Sequence, residues 1–436
     1  MLGIREGGPS RWRGPDARAT MASGSAMTRS GRFVPRNLRW FNKLVKFTYG
    51  LWLKAFFRVR GKNVQAARSL KPPFVLVSNH VTVLDPFILS VFIRDPVYWI
   101  TSDGNMRSRL MRGLLRLVGS IPKSKAIPDL ETVGWTVDVI RKRGGIVGIF
   151  PEGQQTWCGT TLPLIASTAK LLKLLKVPVL AAVIKGGFSS LPRWSWARRR
   201  GRIEVEWSLA FSSEDLKAMR HEEILARLGE VLAHDEAAWE ERTREPFEAI
   251  RRAEHIELAL FMCPRCESVG SLRSFRSGLQ CQACGMSLKL DAFGRFKGRK
   301  GDLSPFATPR DWERWQASAF PERLRREGAA RPERPLFSDA GAMLLRGHRM
   351  NPLRRVRTGT LILYPTRIEL ATILGERLSF PLESIEGVGV LKRNTLEYYV
   401  GRELFQIRFP LRSASARKWQ EAVEALARTR FGPVAV

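Results

Sequence analysis

PFVLVSNHVTVLDP, residues 73–86, is the stretch from which the fold can be read. The run VLVS is β-branched and apolar, bounded by prolines on one side and a polar turn on the other, and reads as a buried strand. Asp85-Pro86 reads as a helix opening, with Asp at the N-cap and Pro at the first helical position. Between them lies His80, five positions before Asp85. On a regular helix that spacing would put the two side chains on different faces. At a strand-to-helix turn the chain can bring imidazole and carboxylate together, as a base and the group that orients it.

Outward from this turn the pattern repeats. VYWI (97–100), GIVGIF (145–150), VPVLAAVI (177–184) and RIEVEWSLAF (202–211) read as further strands, with helical stretches such as LPLIASTAKLLKLL (162–175) between most of them. Strands alternating with helices imply an α/β domain built on a largely parallel sheet. Phe150-Pro151-Glu152-Gly153 ends one of these strands, so a carboxylate and a flexible backbone are expected at the sheet edge where His80 emerges.

The chain has 436 residues and a formal charge of +32, with no acidic residue between Asp16 and Asp85. Such an excess speaks for a polyanionic partner, nucleic acid or an anionic membrane, more than for a fold. No apolar run is long enough for a transmembrane helix, and no signal peptide is visible. Residues 36–60, RNLRWFNKLVKFTYGLWLKAFFRVR, favour the membrane. On a helical wheel Arg36, Arg39, Lys43, Lys46 and Lys54 form a basic stripe, and Trp40, Trp52 and Phe56 lie on the apolar remainder. That is the pattern of an interfacial amphipathic helix, placing the protein peripherally on the cytoplasmic face of a membrane. The alternative for this segment is a domain-packing helix with a solvated Lys face. Arg193-Trp194-Ser-Trp196-Ala-Arg198-Arg199-Arg200 would suit a headgroup-level loop or stacking on bases, or simply be a solvated basic loop.

Four of the five cysteines form Cys263-x2-Cys266 and Cys281-x2-Cys284. Two such knuckles predict a structural, tetrahedral zinc site of the ribbon type and a reducing compartment. The last hundred residues read as closely spaced strands followed by an amphipathic helix, with Trp419, Val423 and Leu426 on one face. That order resembles a pleckstrin-homology or GRAM-type domain at the level of pattern.

Asn79-His80 to Asp85, Gly119-Ser-Ile-Pro-Lys-Ser-Lys125, Phe150 to Gly153, and Val177-Pro178-Val179 together resemble, in order and spacing, the motifs of the glycerolipid acyltransferase family (1-acylglycerol-3-phosphate or PlsC-like acyltransferases). The resemblance covers roughly residues 37–212. It implies that His80 is a general base for an acceptor hydroxyl and that Asp85 orients it. The co-substrate would be a fatty acyl thioester on coenzyme A or acyl carrier protein, and the acceptor a lysophospholipid. It also implies substrate-side roles for Asn79, Lys123, Lys125, Pro151, Glu152 and Gly153. Acyl transfer of this kind is direct, so Cys158 is expected to be incidental. The chain departs from the family after Gly153, where Gln155 replaces an expected Arg, and Lys125 stands where Arg is usual. A lysine gives a point charge rather than a bidentate fork.

The expected organisation is a disordered basic tail (1–35), the interfacial helix (36–60), an α/β acyltransferase core (61–212), a helical extension (213–260), a zinc ribbon (261–292), a linker (293–335) and a PH-like β-barrel or sandwich with a closing helix (336–430). A nucleic-acid-binding zinc-ribbon protein and a non-catalytic lipid-binding relative are the alternatives. The first leaves the ordered motifs unexplained, so no nucleic-acid partner is expected. Retention of His80 and Asp85 argues against the second.

Overall fold

The computed structural model describes residues 35–124, 129–299, 301–409 and 414–431. The expected basic tail, apart from Pro35, and Lys125 lie outside the described residues. In chain order the first half contains α1 (Arg39–Phe56), β1 (Arg60–Lys62), α2 (Val64–Ser69), β2 (Phe74–Ser78), α3 (Asp85–Ser90), β3 (Val97–Ser102), α4 (Arg109–Leu117), β4 (Ile121–Lys123), α5 (Leu130–Val137), β5 (Ile146–Ile149), α6 (Ser167–Leu175), β6 (Val179–Lys185), α7 (Gly187–Ser190) and β7 (Glu204–Phe211). The seven strands form one sheet in the order β1-β7-β6-β2-β5-β3-β4. All neighbours are parallel except β6 and β7. Strand β1, three polar or small residues long, had no apolar signature in the sequence.

Alternation along the central strands builds two apolar layers. Phe74 and Leu76 of β2 and Leu180, Ala182 and Ile184 of β6 point to the side covered by Leu53, Ile88 and Leu89 of α1 and α3. Val75, Val77, Val179, Ala181 and Val183 point to the other, covered by Leu172 of α6 and Ile224 and Leu228 further on. Burial on both faces explains why the strands read as continuous apolar runs. It also sets the parallel strands β2, β5, β3 and β4 with their C-terminal ends along one edge.

Helix α1 sits differently from its expected membrane pose. Its inward side carries Gly50 and Leu53, with Tyr49, Trp52 and Phe56 packed partly against the core. Trp52 stacks between Tyr49 (5.5 Å) and Phe56 (5.2 Å), beneath the Arg198 guanidinium. Lys46 donates to the Ile93 carbonyl. Trp52, Phe56 and Lys46 therefore belong to the packing face. The outward side is apolar as well: Trp40 is 65% and Phe47 72% exposed, alongside exposed Leu44 and Leu51, with Lys43 and Lys54 between them. The helix is apolar nearly all round, which is why a wheel alone does not separate its two faces.

Helices α8 (Ser213–Ala218), α9 (His221–Leu232) and α10 (Glu236–Thr243) follow, and beyond Pro246 the chain is largely irregular to 260. The cysteine segment forms a four-stranded antiparallel sheet of β8 (Leu272–Phe275), β9 (Gly278–Cys281), β10 (Ser287–Leu290) and β11 (Phe296–Gly298), in order β11-β10-β9-β8. The expected linker is a correction. Residues 293–335 contain β11 and a 22-residue helix, α11 (Pro309–Ala330). Thr308 caps it by accepting the Asp311 amide, and Pro309 occupies its first turn. Trp312, Gln316, Phe320, Leu324 and Gly328 form a buried stripe at four-residue spacing. The buried Gln316 side chain accepts the amides of Phe261 and Met262 and donates to the Ala259 carbonyl, tying the helix to the ribbon.

The last part holds β12 (Phe337–Gly347), β13 (Arg354–Leu363), β14 (Arg367–Thr372), β15 (Arg377–Pro381), β16 (Ile385–Leu391), β17 (Thr395–Val400), β18 (Glu403–Arg408) and α12 (Ala416–Phe431). The strands make one antiparallel sheet in the order β15-β14-β13-β12-β18-β17-β16. The described residues show no pairing between β15 and β16, so the sheet is not a closed barrel. Trp419, Val423 and Leu426 of α12 pack into the same continuous apolar core as Trp312, Phe320 and the ribbon residues Cys263, Leu279 and Cys281. Ribbon, long helix and terminal sheet thus share one core.

Candidate active site

The turn after β2 is organised around Asp85. Its carboxylate is fully buried and accepts the Val81 amide at 2.8 Å and the Thr82 amide at 3.0 and 3.1 Å. Its Oδ2 lies 2.8 Å from His80 Nδ1. Burial pushes the Asp85 pKa up, while His80 and the two amides pull it down. The two residues that the spacing singled out are brought together by a turn that the same carboxylate ties. Because Nδ1 faces the Asp85 acceptor, that nitrogen carries the ring proton and Nε2 is left as the acceptor. The ring stacks on Phe150 at 4.1 Å, and Phe150 stacks on Trp99 at 5.0 Å. The His80 side chain is 18% exposed, so a hydroxyl has access to the imidazole while its orientation is fixed from two sides.

Glu152 reaches this turn from β5, but through the backbone. Oε1 accepts the His80 amide at 2.6 Å and Oε2 the Leu162 amide at 2.7 Å. The Thr156 amide donates to the His80 carbonyl at 3.0 Å, a second tie between the two loops. Burial raises the Glu152 carboxyl to about 8 against the pull of the Leu162 and His80 amides, and the Asp85 charge pushes in the same direction as burial. Each Glu152 oxygen accepts one backbone amide, so the residue holds the His80 loop in place. Gly153 follows with φ +67°, and a Cβ there would lie 2.4 Å from the Ile165 side chain. Pro151 is buried, and its carbonyl accepts the Ile165 amide at 2.9 Å.

Asn79 is also re-assigned. Its side chain donates to the Ile184 carbonyl at 2.9 Å and accepts the Ile184 amide at 2.8 Å. This buried amide bridges the ends of β2 and β6. Its partner lies 105 residues away, which no local pattern announces. Lys123 is half-buried at the C-terminal end of β4, on the edge where β2, β5 and β3 also end. Lys123 makes no ion pair with another described residue. Cys158 is buried, and burial pushes its thiol pKa up, against any nucleophilic role. A second imidazole–carboxylate pair, His234 Nε2 to Glu236 Oε2 at 2.7 Å, is almost wholly enclosed, and Glu236 also accepts the Gly186 and Ser189 amides. It is a structural counterpart with no access for a substrate.

The four sulfurs of Cys263, Cys266, Cys281 and Cys284 all lie within 4.8 Å of one another, and this cluster could hold a metal ion. The 263–284 and 266–281 pairs are 3.7 and 3.8 Å apart. Ligands about 2.3 Å from a tetrahedral ion stand about 3.8 Å from each other, so the donor set fits four thiolates on one ion.

No curated protein matches the chain. Among solved structures, the crystal structure of the 1-acyl-sn-glycerophosphate (LPA) acyltransferase PlsC from Thermotoga maritima is similar at 16% identity and a TM-score of 0.37, over 44% of this chain and 86% of that one. The Acyltransferase family model matches residues 56–185. That span runs from the end of α1 to the end of β6 and contains His80, Asp85, Lys123 and Glu152. Residues 56–185 belong to the acyltransferase family, and that match supports an acyltransferase activity.

Proposed function

We propose that the protein is a membrane-associated O-acyltransferase that moves a fatty acyl group from a thioester, on coenzyme A or acyl carrier protein, to the free hydroxyl of a lysophospholipid. A lysophosphatidic-acid-type acceptor is favoured. The observation that carries the reading is the His80 Nδ1–Asp85 contact, which leaves Nε2 as the proton acceptor. In this mechanism His80 Nε2 removes the hydroxyl proton as the oxygen attacks the thioester carbonyl. Asp85 stabilises the resulting imidazolium, and the proton passes to the departing thiolate. General-base assistance of this kind is worth about 10² to 10⁴ in rate. Lys123, at the strand end and without an acidic partner among the described residues, is the described cation for the acceptor phosphate, with Lys125 beside it in sequence. Two other parts support the reading. The outward side of α1 offers Trp40, Leu44, Phe47 and Leu51 with Lys43 and Lys54 to an anionic bilayer; among the described residues no helix is long and apolar enough to cross it. The four-cysteine cluster suits a structural zinc ion, since all four positions are filled by protein thiolates. The strand order and C-terminal helix of residues 336–430 are in keeping with a PH-like module.

The test is an acceptor panel with the purified full chain on anionic vesicles, products being identified by mass spectrometry. Lysophosphatidic acid, lysophosphatidylethanolamine and a neutral monoacylglycerol are each offered with acyl-CoA and with acyl carrier protein. Phosphatidic acid is the expected main product. Preferred acylation of the neutral alcohol would overturn the phosphate reading.

A further inference from the structure

The departure at Gln155 leaves open how this chain holds a phosphate-bearing acceptor without the expected guanidinium. Two turns of the C-terminal sheet reach the loops in question. The turn between β12 and β13 carries Arg349, whose Nε donates to Ser124 Oγ at 2.9 Å. Its other nitrogens lie 3.1 Å from Asp129 and 3.4 Å from Glu131. Ser124 is the residue after Lys123, and the Arg349 contact completes its position: its hydroxyl donates to Asp103 at 2.8 Å and its amide to Asp129 at 2.9 Å. The Arg349 turn is itself anchored on the acyltransferase side. Arg107 donates to the Arg349 carbonyl at 3.0 Å and pairs with Glu397 of β17, and Arg112 donates to the Met350 carbonyl.

The second turn, between β16 and β17, meets the loop after Gly153. Arg193 donates to the Val390 carbonyl at 2.7 Å and the Lys392 carbonyl at 3.1 Å. The same guanidinium donates to the Gln155 carbonyl at 2.9 Å and the Gln154 side chain at 3.3 Å, and lies over the Trp157 ring. Both acyltransferase loops that flank the expected phosphate position are therefore tied to one foreign sheet. A guanidinium fork that bridges a hydroxyl and two carboxylates fixes orientation as well as distance.

We propose that the C-terminal sheet braces the acceptor subsite, and that Arg349 is a positioning residue that acts through Ser124 on Lys123 to bind the acceptor phosphate. This rests on the reading that the acceptor carries a phosphate. Arg349 itself does not touch substrate, since its nitrogens are held by Ser124, Asp129 and Glu131.

A double-mutant cycle on the full chain tests it, with steady-state kinetics against lysophosphatidic acid and against a neutral monoacylglycerol in the same vesicles. Arg349→Ala is expected to raise KM for the phosphate-bearing acceptor about tenfold, as loss of a charge-assisted contact does. The kcat should stay within about twofold, and KM for the thioester and the neutral alcohol should not move. Lys123→Ala should raise the same KM, and the double variant should be no worse than Lys123→Ala alone. Effects that multiply overturn the proposal, because independent sites add in free energy. So does a loss of kcat on every acceptor, the mark of a merely structural role. If Arg349→Ala does not fold, Arg349→Lys, which keeps charge but loses the fork, carries the same cycle. Lys123→Ala with unchanged KM defeats the phosphate-subsite reading itself, whereas a raised KM there with Arg349→Ala silent defeats the brace alone.

Discussion

Asp85 has three tasks in one turn: it orients His80 and ties the amides of Val81 and Thr82. A buried acceptor with that many donors cannot be replaced by an amide without setting donor against donor. Glu152 has the matching task on the other loop, and its protonation is where pH should be felt. Its carboxyl is raised from the ordinary 4.5 to about 8, chiefly by burial. A group with a higher pKa folded than unfolded binds more protons in the folded state. Its contribution to stability is therefore full below about 4.5 and is lost as the pH rises through about 8. The thermal midpoint of the wild type relative to Glu152→Gln should accordingly fall between about pH 5 and about pH 9. A difference that stays flat across that window would contradict the assignment. The His80–Asp85 pair was legible in the sequence because a strand, a six-residue turn and a helix start are local. The roles of Glu152 and Asn79 were not, because their partners lie 72 and 105 residues away and are backbone groups without any residue signature.

Among the elements, α1 carries the sharpest contrast. Its inward aromatics Tyr49, Trp52 and Phe56 stack on one another and on the core, while Trp40, Leu44, Phe47 and Leu51 face outward. Replacing the outward four by Ser should release the protein from anionic vesicles with little change in its thermal midpoint, since exposed sites contribute little to folding. Replacing Trp52 and Phe56 by Ser should instead lower the midpoint by several degrees, through loss of packed aromatic area. Co-sedimentation and thermal unfolding of the two variants check both halves; equal vesicle binding by the outward variant sinks the membrane-facing assignment. Helix α4 adds a second surface of the same kind, with Leu110, Met111 and Leu114 exposed beside Arg109. Helix α11 was not legible, because the preceding Gly- and Pro-containing run and the internal Pro321 hid a buried stripe that only the ribbon and the terminal sheet complete.

At the scale of the whole molecule, two bodies meet at the loops after β4 and β5. The acyltransferase sheet has its own two apolar layers, whereas ribbon, α11 and terminal sheet share a third that also takes in Trp157 and Trp194 from the acyltransferase side. That shared core makes the C-terminal half a fixed neighbour of the active site. The order of motifs announced the first body; the joint between the two is made by Arg107, Arg193 and Arg349 with carbonyls and carboxylates some 200 residues away, which composition registers only as excess charge. The central claim is that His80 removes the acceptor proton in an acyl transfer. Its most direct measurement is the initial rate of acylated product formed from acyl thioester and lysophosphatidic acid by the full chain and by His80→Ala, both folded and vesicle-bound. The account predicts a fall of about 10² to 10⁴ in the variant at unchanged vesicle binding; a rate equal to that of the wild type would contradict it.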